Sequence, residues 1–132
     1  MTRPRFTRAF TAQPGDIDEL GHVNNAVWVR WIQDVAVAHW DAVAAPEHRD
    51  AFIWVILRHE IDYRGNMVEG ATATAETWVA DEAKGARFGR HVRFTGADGR
   101  VLVEALTTWV MLDRATGRLA RVRGEVIAPF LG

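Results

Sequence analysis

Apolar residues recur with two different periods along the chain, and the switch between them divides it into elements. Over 25–44 they fall at Val27, Trp28, Trp31, Ile32, Val35, Ala36, Ala42 and Val43, the i, i+3, i+4 rhythm of a helix that buries a wide stripe. Arg30, Asp34 and Asp41 lie off that stripe. Asn24 suits the N-cap, where its side-chain oxygen can accept a bond from an unpaired amide of the first turn. Val23 and Trp28 have the spacing of a hydrophobic staple across that cap. Pro46 is expected to end the helix within 45–50. From residue 52 onward the period is 2, and the spacing predicts strands over 52–63, 72–80, 87–95 and 101–113, with an earlier one over 6–12. In 87–95 it puts Phe88, Val92 and Phe94 on one face, with Arg87, Gly89, His91 and Arg93 on the other. Turn residues stand between these runs at Gln13-Pro14-Gly15-Asp16, Arg64-Gly65-Asn66, Asp98-Gly99 and Ala115-Thr116-Gly117, the Asp-Gly pair being a strong hairpin signal. A short helical turn is expected over 124–132.

One strand, one long helix and four strands joined by short turns make an α+β chain with a five-stranded antiparallel sheet, one face of which the helix covers. A single helix has too little area to cover five strands. A face or edge of the sheet is therefore expected to pair with a second copy of the chain.

The 132 residues fit a single domain, 1–132. A net charge of -1 argues against a dedicated binder of nucleic acid or of a membrane surface, both of which need a sustained basic field. The absence of cysteine removes disulfide scaffolds, Cys-ligated metal centres and thiol nucleophiles. No run approaches the roughly 18 apolar residues of a membrane span, and no apolar segment follows the Arg-bearing start as in a secretion signal. The expectation is a soluble, cytoplasmic protein. Six tryptophans against one tyrosine require somewhere to be buried.

The chemistry is concentrated in Gly15-Asp16-Ile17-Asp18-Glu19-Leu20-Gly21-His22-Val23-Asn24-Asn25, a turn that runs straight into the helix start. Free amides and about half a positive charge at such a start favour developing negative charge, which is what acyl transfer needs at its oxyanion. Asp18 can act as a nucleophile or as a general base on water, and His22 can orient or deprotonate that water. The same Asp and Asn residues are also ordinary cap and turn formers, so these physical considerations leave both roles open. Asp18 and His22 alone are too few ligands for a metal site.

The run Asp16-Ile17-Asp18-Glu19-Leu20-Gly21-His22-Val23-Asn24-Asn25 resembles the D-x-D-x-x-G-H-V-N-N signature of the hotdog-fold acyl-CoA thioesterases of the 4-hydroxybenzoyl-CoA thioesterase type. The similarity continues through the long helix, the Glu60-Ile61-Asp62-Tyr63 strand end, the Asp98-Gly99 hairpin and Thr107-Thr108-Trp109-Val110. The resemblance implies a hotdog fold, a five-stranded antiparallel sheet wrapped around one long central helix, and hydrolysis of an acyl-CoA to free acid and CoA without a cofactor. It implies Asp18 as the catalytic carboxylate, His22 beside it and the amides near Asn25 as the oxyanion site. It also implies a homodimer or dimer of dimers, with active sites at the subunit interface. Where the family commonly has Tyr, this chain has Trp28, which loses a phenolic hydroxyl and keeps the aromatic surface. Substrate-binding candidates are Asn24, Trp28, Tyr63, Arg64, Arg87 and Arg90. The arginines, with Arg93, are candidates because guanidinium matches phosphate oxygens bidentately. Hotdog hydratases place Asp and His five positions apart, whereas Asp18 and His22 are four apart. A non-catalytic acyl-CoA-binding module is the other alternative.

Overall fold

The computed structural model describes residues 3–132, so the first two positions of the expected 1–132 unit lie outside the described residues. The chain runs β1 (Phe6–Thr11), α1 (Asn25–Val43), α2 (Pro46–Ala51), β2 (Phe52–Tyr63), β3 (Thr72–Val79), β4 (Arg87–Thr95), β5 (Val101–Asp113) and α3 (Gly124–Leu131). The strands form one sheet in the order β1-β3-β4-β5-β2, and every pairing is antiparallel. Because β2 follows the helices and returns to pair with β5, β1 and β2 are left as the two edges.

Sequence chemistry accounts for the element ends. Asn24 caps α1, its side chain accepting from the Ala26 amide, as the spacing predicts. Pro46 plays a different part from the one expected of it. α1 closes at Val43 with the Ala44 amide on the Trp40 carbonyl, and Pro46 opens α2, where its missing N–H would have had no helical partner. A register shift between Ile56 and Arg58 leaves Leu57 as the extra residue of a bulge in β2, which locally raises the twist of that edge. The expected turn over 124–132 forms a full eight-residue helix.

α1 joins two apolar clusters. Its first half contributes Val27, Trp28, Trp31, Ile32 and Val35 to a core completed by Phe10, Val92, Phe94 and Val103. Within it Trp28 meets Trp31 and Phe94 edge to face at 5.2 and 5.1 Å between centroids, arrangements favoured by the ring quadrupoles. Its second half joins a cluster with Phe88, Met111, Ile127 and Phe130, where Trp40 stacks on Phe130 at 5.7 Å and meets Trp54 edge to face at 5.6 Å. Four of the six tryptophans therefore sit in or against these clusters; Trp109 is buried outside them, and Trp78 lies under the Arg5 guanidinium at 3.5 Å. Among the described residues no helix is long and apolar enough to cross a membrane.

Candidate active site

The motif folds as a small closed loop in front of α1. Ile17 and Val23 bridge, the Asp18 amide donates to the His22 carbonyl at 2.9 Å, and the Gly21 amide to the Asp18 carbonyl at 3.0 Å. Such a tight return needs a left-handed residue. Gly21 supplies it at φ +82°, a conformation that a side chain would strain.

Inside this loop the two acidic residues do different jobs. Asp16 is buried; one of its oxygens accepts from the Gln13 amide at 2.9 Å and the other from Arg30 at 3.0 Å. The Gln13 amide is the main influence that holds the Asp16 carboxyl below its ordinary range, with Arg30 adding to it against the opposing effect of burial. Its backbone carbonyl also accepts from the Asn24 amide. Asp16 thus ties the loop to the helix it precedes.

Asp18 is half-buried. Its Oδ1 accepts from the amides of Leu20 at 2.9 Å and His22 at 3.4 Å, while Oδ2 has no hydrogen-bond partner among the described residues. The carboxylate is held by one oxygen and open at the other. His22, Asn24 and Asn25 are exposed. Of the first α1 amides, Ala26 is taken by the Asn24 side chain and Val27 by the Asn24 carbonyl. The Asn25 amide has no acceptor among the described residues.

A residue that the motif does not include fixes the whole assembly. Asn66, just past β2, donates to the Val23 carbonyl at 3.1 Å and accepts from Trp28 Nε1 at 3.2 Å and from the Met67 amide. The Val23 amide in turn donates to the Met67 carbonyl. The end of β2 is thereby stitched to the start of α1. The only sequence signal was Asn66 in the Arg64-Gly65-Asn66 turn, read as a turn former.

The substrate-binding candidates separate in space. Trp28 is fully buried, so its ring packs the core instead of presenting aromatic surface at the loop. Tyr63 and Arg64 are exposed at the end of β2, near the Asn66 stitch. Arg64 pairs with Glu104 at 3.1 Å, which also holds Arg93 at 3.3 Å. Arg87 is exposed at the start of β4. Arg90 departs from the expectation: it is 8% exposed and lies on the inward face of β4 with Phe88, Val92 and Phe94. The two-residue period already carried this, since 90 has the parity of 88, 92 and 94. Arg90 donates from Nη1 to His39 Nδ1 at 2.7 Å and to Thr77 Oγ1 at 3.0 Å, so it is not the exposed strand arginine that the sequence suggests.

Comparison with known proteins agrees with this architecture. The chain is 27% identical over 81 residues to a chloroplastic acyl-[acyl-carrier-protein] hydrolase of Cuphea viscosissima, a stretch that is 59% of this chain and 20% of that protein. The chain spans about a fifth of the length of the curated relatives it matches. A hypothetical protein of Staphylococcus aureus, solved in complex with CoA, superposes with a TM-score of 0.82 at 17% identity, covering 98% of this chain and 83% of that one. A 1,4-dihydroxy-2-naphthoyl-CoA thioesterase from Synechocystis gives a TM-score of 0.77 at 15% identity, covering 92% of each chain. The fold is the hotdog fold that these structures share, as the resemblance implied. The family model of the thioesterase-like superfamily matches residues 12–130, nearly the whole chain, and the protein with its capped helix and Asp18 loop belongs to that superfamily.

Proposed function

We propose that the chain hydrolyses acyl-CoA thioesters, with Asp18 as the reacting carboxylate. The observation that carries this reading is the pinned loop at the start of α1: a carboxylate anchored by one oxygen and open at the other, next in sequence to a helix whose first amide has no acceptor among the described residues. The thioester carbonyl would accept from the Asn25 amide, where the helix start stabilises the oxyanion. Asp18 Oδ2 then attacks the carbonyl carbon, and collapse of the tetrahedral adduct expels the thiolate of CoA. Water opens the resulting mixed anhydride, which releases the acid and restores the carboxylate. In the second form of the same reading, Asp18 takes a proton from the water that attacks the thioester directly, with His22 orienting it. The thiolate needs little acid help, since a thiol pKa of about 8.5 makes it a good leaving group. Membership of the superfamily supports thioester hydrolysis, and the relatives' names include both acyl-CoA and acyl-carrier-protein substrates.

The active unit in this reading is a homodimer, or a dimer of dimers, joined along β2. That strand is a twelve-residue edge with Val55, Leu57 and Tyr63 exposed. A long apolar edge of this kind offers unpaired backbone groups to a second copy. Pairing two β2 strands in antiparallel fashion sets the end of one beside the start of the other.

The test is release of free thiol from short, long and aromatic acyl-CoAs and from the matching acyl carrier proteins. Turnover on one of these classes is expected. Tight acyl-CoA binding with no free CoA from any of them overturns the reading in favour of a binding module.

A further inference from the structure

At the other end of α1 lies a cavity of about 280 Å³ walled by Trp40, Trp54, Phe88, Trp109 and Phe130, with Arg90 in its lining. It is distant from the Asp18 loop within one protomer. From Asn25 to its α1 residues Ala36 to Asp41 is 11 to 16 positions, roughly 17 to 24 Å at the helical rise.

The walls are apolar and flat, and the lining includes a charge that the protein leaves uncompensated. Both Nη1 protons of Arg90 are used, on His39 and Thr77; Nε and Nη2 have no partner among the described residues. His39 is neutral at pH 7 and does not balance the charge, since burial, with the Arg90 charge adding to it, pushes its imidazole down to about 4. Burial brings the Arg90 guanidinium down to about 10, still cationic at neutral pH. No carboxylate among the described residues comes within ion-pair distance of it. The other charged groups of the lining are Asp41, Arg49 and Arg114, of which Asp41 is exposed and Arg114 is spent on the carbonyls of Arg49, Asp50 and Phe52. An unpaired buried cation costs several kcal/mol, which calls for an acceptor that the chain itself does not supply.

We propose that this cavity is a binding site for an amphipathic carboxylate, whose apolar body fills the aromatic walls and whose carboxylate meets the free donors of Arg90. A cavity of about 150 Å³ holds benzene, so this one has room for a two-ring body or a medium-length chain. Two sources share this chemistry: a free carboxylic acid, and the far carboxylate of an acyl group still joined to its thioester. The second source rests on the thioesterase reading, whereas the site itself does not.

Binding is followed by tryptophan emission, since Trp40, Trp54 and Trp109 line the cavity, with octanoate and its neutral amide octanamide as probes. Octanoate is expected to bind about tenfold or more tightly than octanamide, a charge-assisted hydrogen bond exceeding that difference. Arg90→Met removes the preference and keeps octanamide binding; it strands the His39 Nδ1 acceptor, so its unfolding transition is checked first. Val37→Trp, at an exposed position of the mouth, plugs the cavity and weakens both probes whether or not the Arg90 variant folds. Comparing hydrolysis of suberoyl-CoA and octanoyl-CoA separates the sources. A preference for suberoyl-CoA that Arg90→Met abolishes assigns the site to the acyl tail, and octanoate binding without that preference assigns it to a free acid. Equal affinity for octanoate and octanamide, or binding of both that survives Val37→Trp unchanged, overturns the proposal.

Discussion

Asp16 and Asp18 stand two positions apart and have opposite employment. Both oxygens of Asp16 are bound within the protein, so the residue holds the loop in place, and Asp16→Ala is expected to destabilise the fold by about 1–3 kcal/mol through the donors it strands. Chemical denaturation measures that loss. Asn66 makes three hydrogen bonds between the β2 end and the α1 start. Asn66→Ala should therefore lower stability by a similar ~1–3 kcal/mol and, if the thioesterase reading holds, reduce kcat more than the folded fraction explains, because the Asn25 amide loses its fixed position. The sequence read the motif loop and the Asn24 cap from local spacing, because a cap and a turn are satisfied by neighbours. It missed the stitching role of Asn66 and the burial of Arg90, whose bonds to Trp28, Val23 and His39 span 38 to 51 positions and leave no local trace beyond the parity of residue 90.

Among the elements, the strands of the sheet were legible almost to the residue, because alternation over 52–63, 87–95 and 101–113 is long and bounded by turn residues. The end of α1 was less so: Pro46 breaks one helix and begins another with the same fixed φ, and the sequence does not say which will dominate. The junction of α1 with β4 also carries a pH response. His39 sits between Phe6 at 5.0 Å and Phe130 at 4.8 Å between centroids and has its imidazole held at about 4, against about 6.5 in the unfolded chain. Burial lowers His59 and His91 in the same direction. Below pH 6.5 the unfolded state binds more protons than the folded one, so stability present above that pH is lost as pH falls toward 4. The His39 contribution is on the order of 2 kcal/mol, reduced from the full shift by solvent screening. Urea unfolding between pH 7 and pH 4 should show this fall, and His39→Gln should flatten it.

At the scale of the molecule, α1 lies nearest β1 and β3, and the β2 edge is left with exposed Val55 and Leu57. If two copies pair there, the Val55→Lys and Leu57→Lys double variant should sediment as a monomer while wild type sediments at twice that mass or four times it; a monomeric wild type at micromolar concentration contradicts the pairing. The central claim is that Asp18 is the carboxylate that acts on a thioester. The measurement is steady-state thiol release by Asp18→Asn on the best acyl-CoA substrate, with the variant's fold checked by its unfolding transition. The amide keeps an oxygen to accept the Leu20 and His22 amides, and loses the nucleophile and base. A fall in kcat of about 100-fold or more is expected, within the range that removing a general base produces. A folded Asp18→Asn variant that turns over nearly as fast as wild type contradicts it.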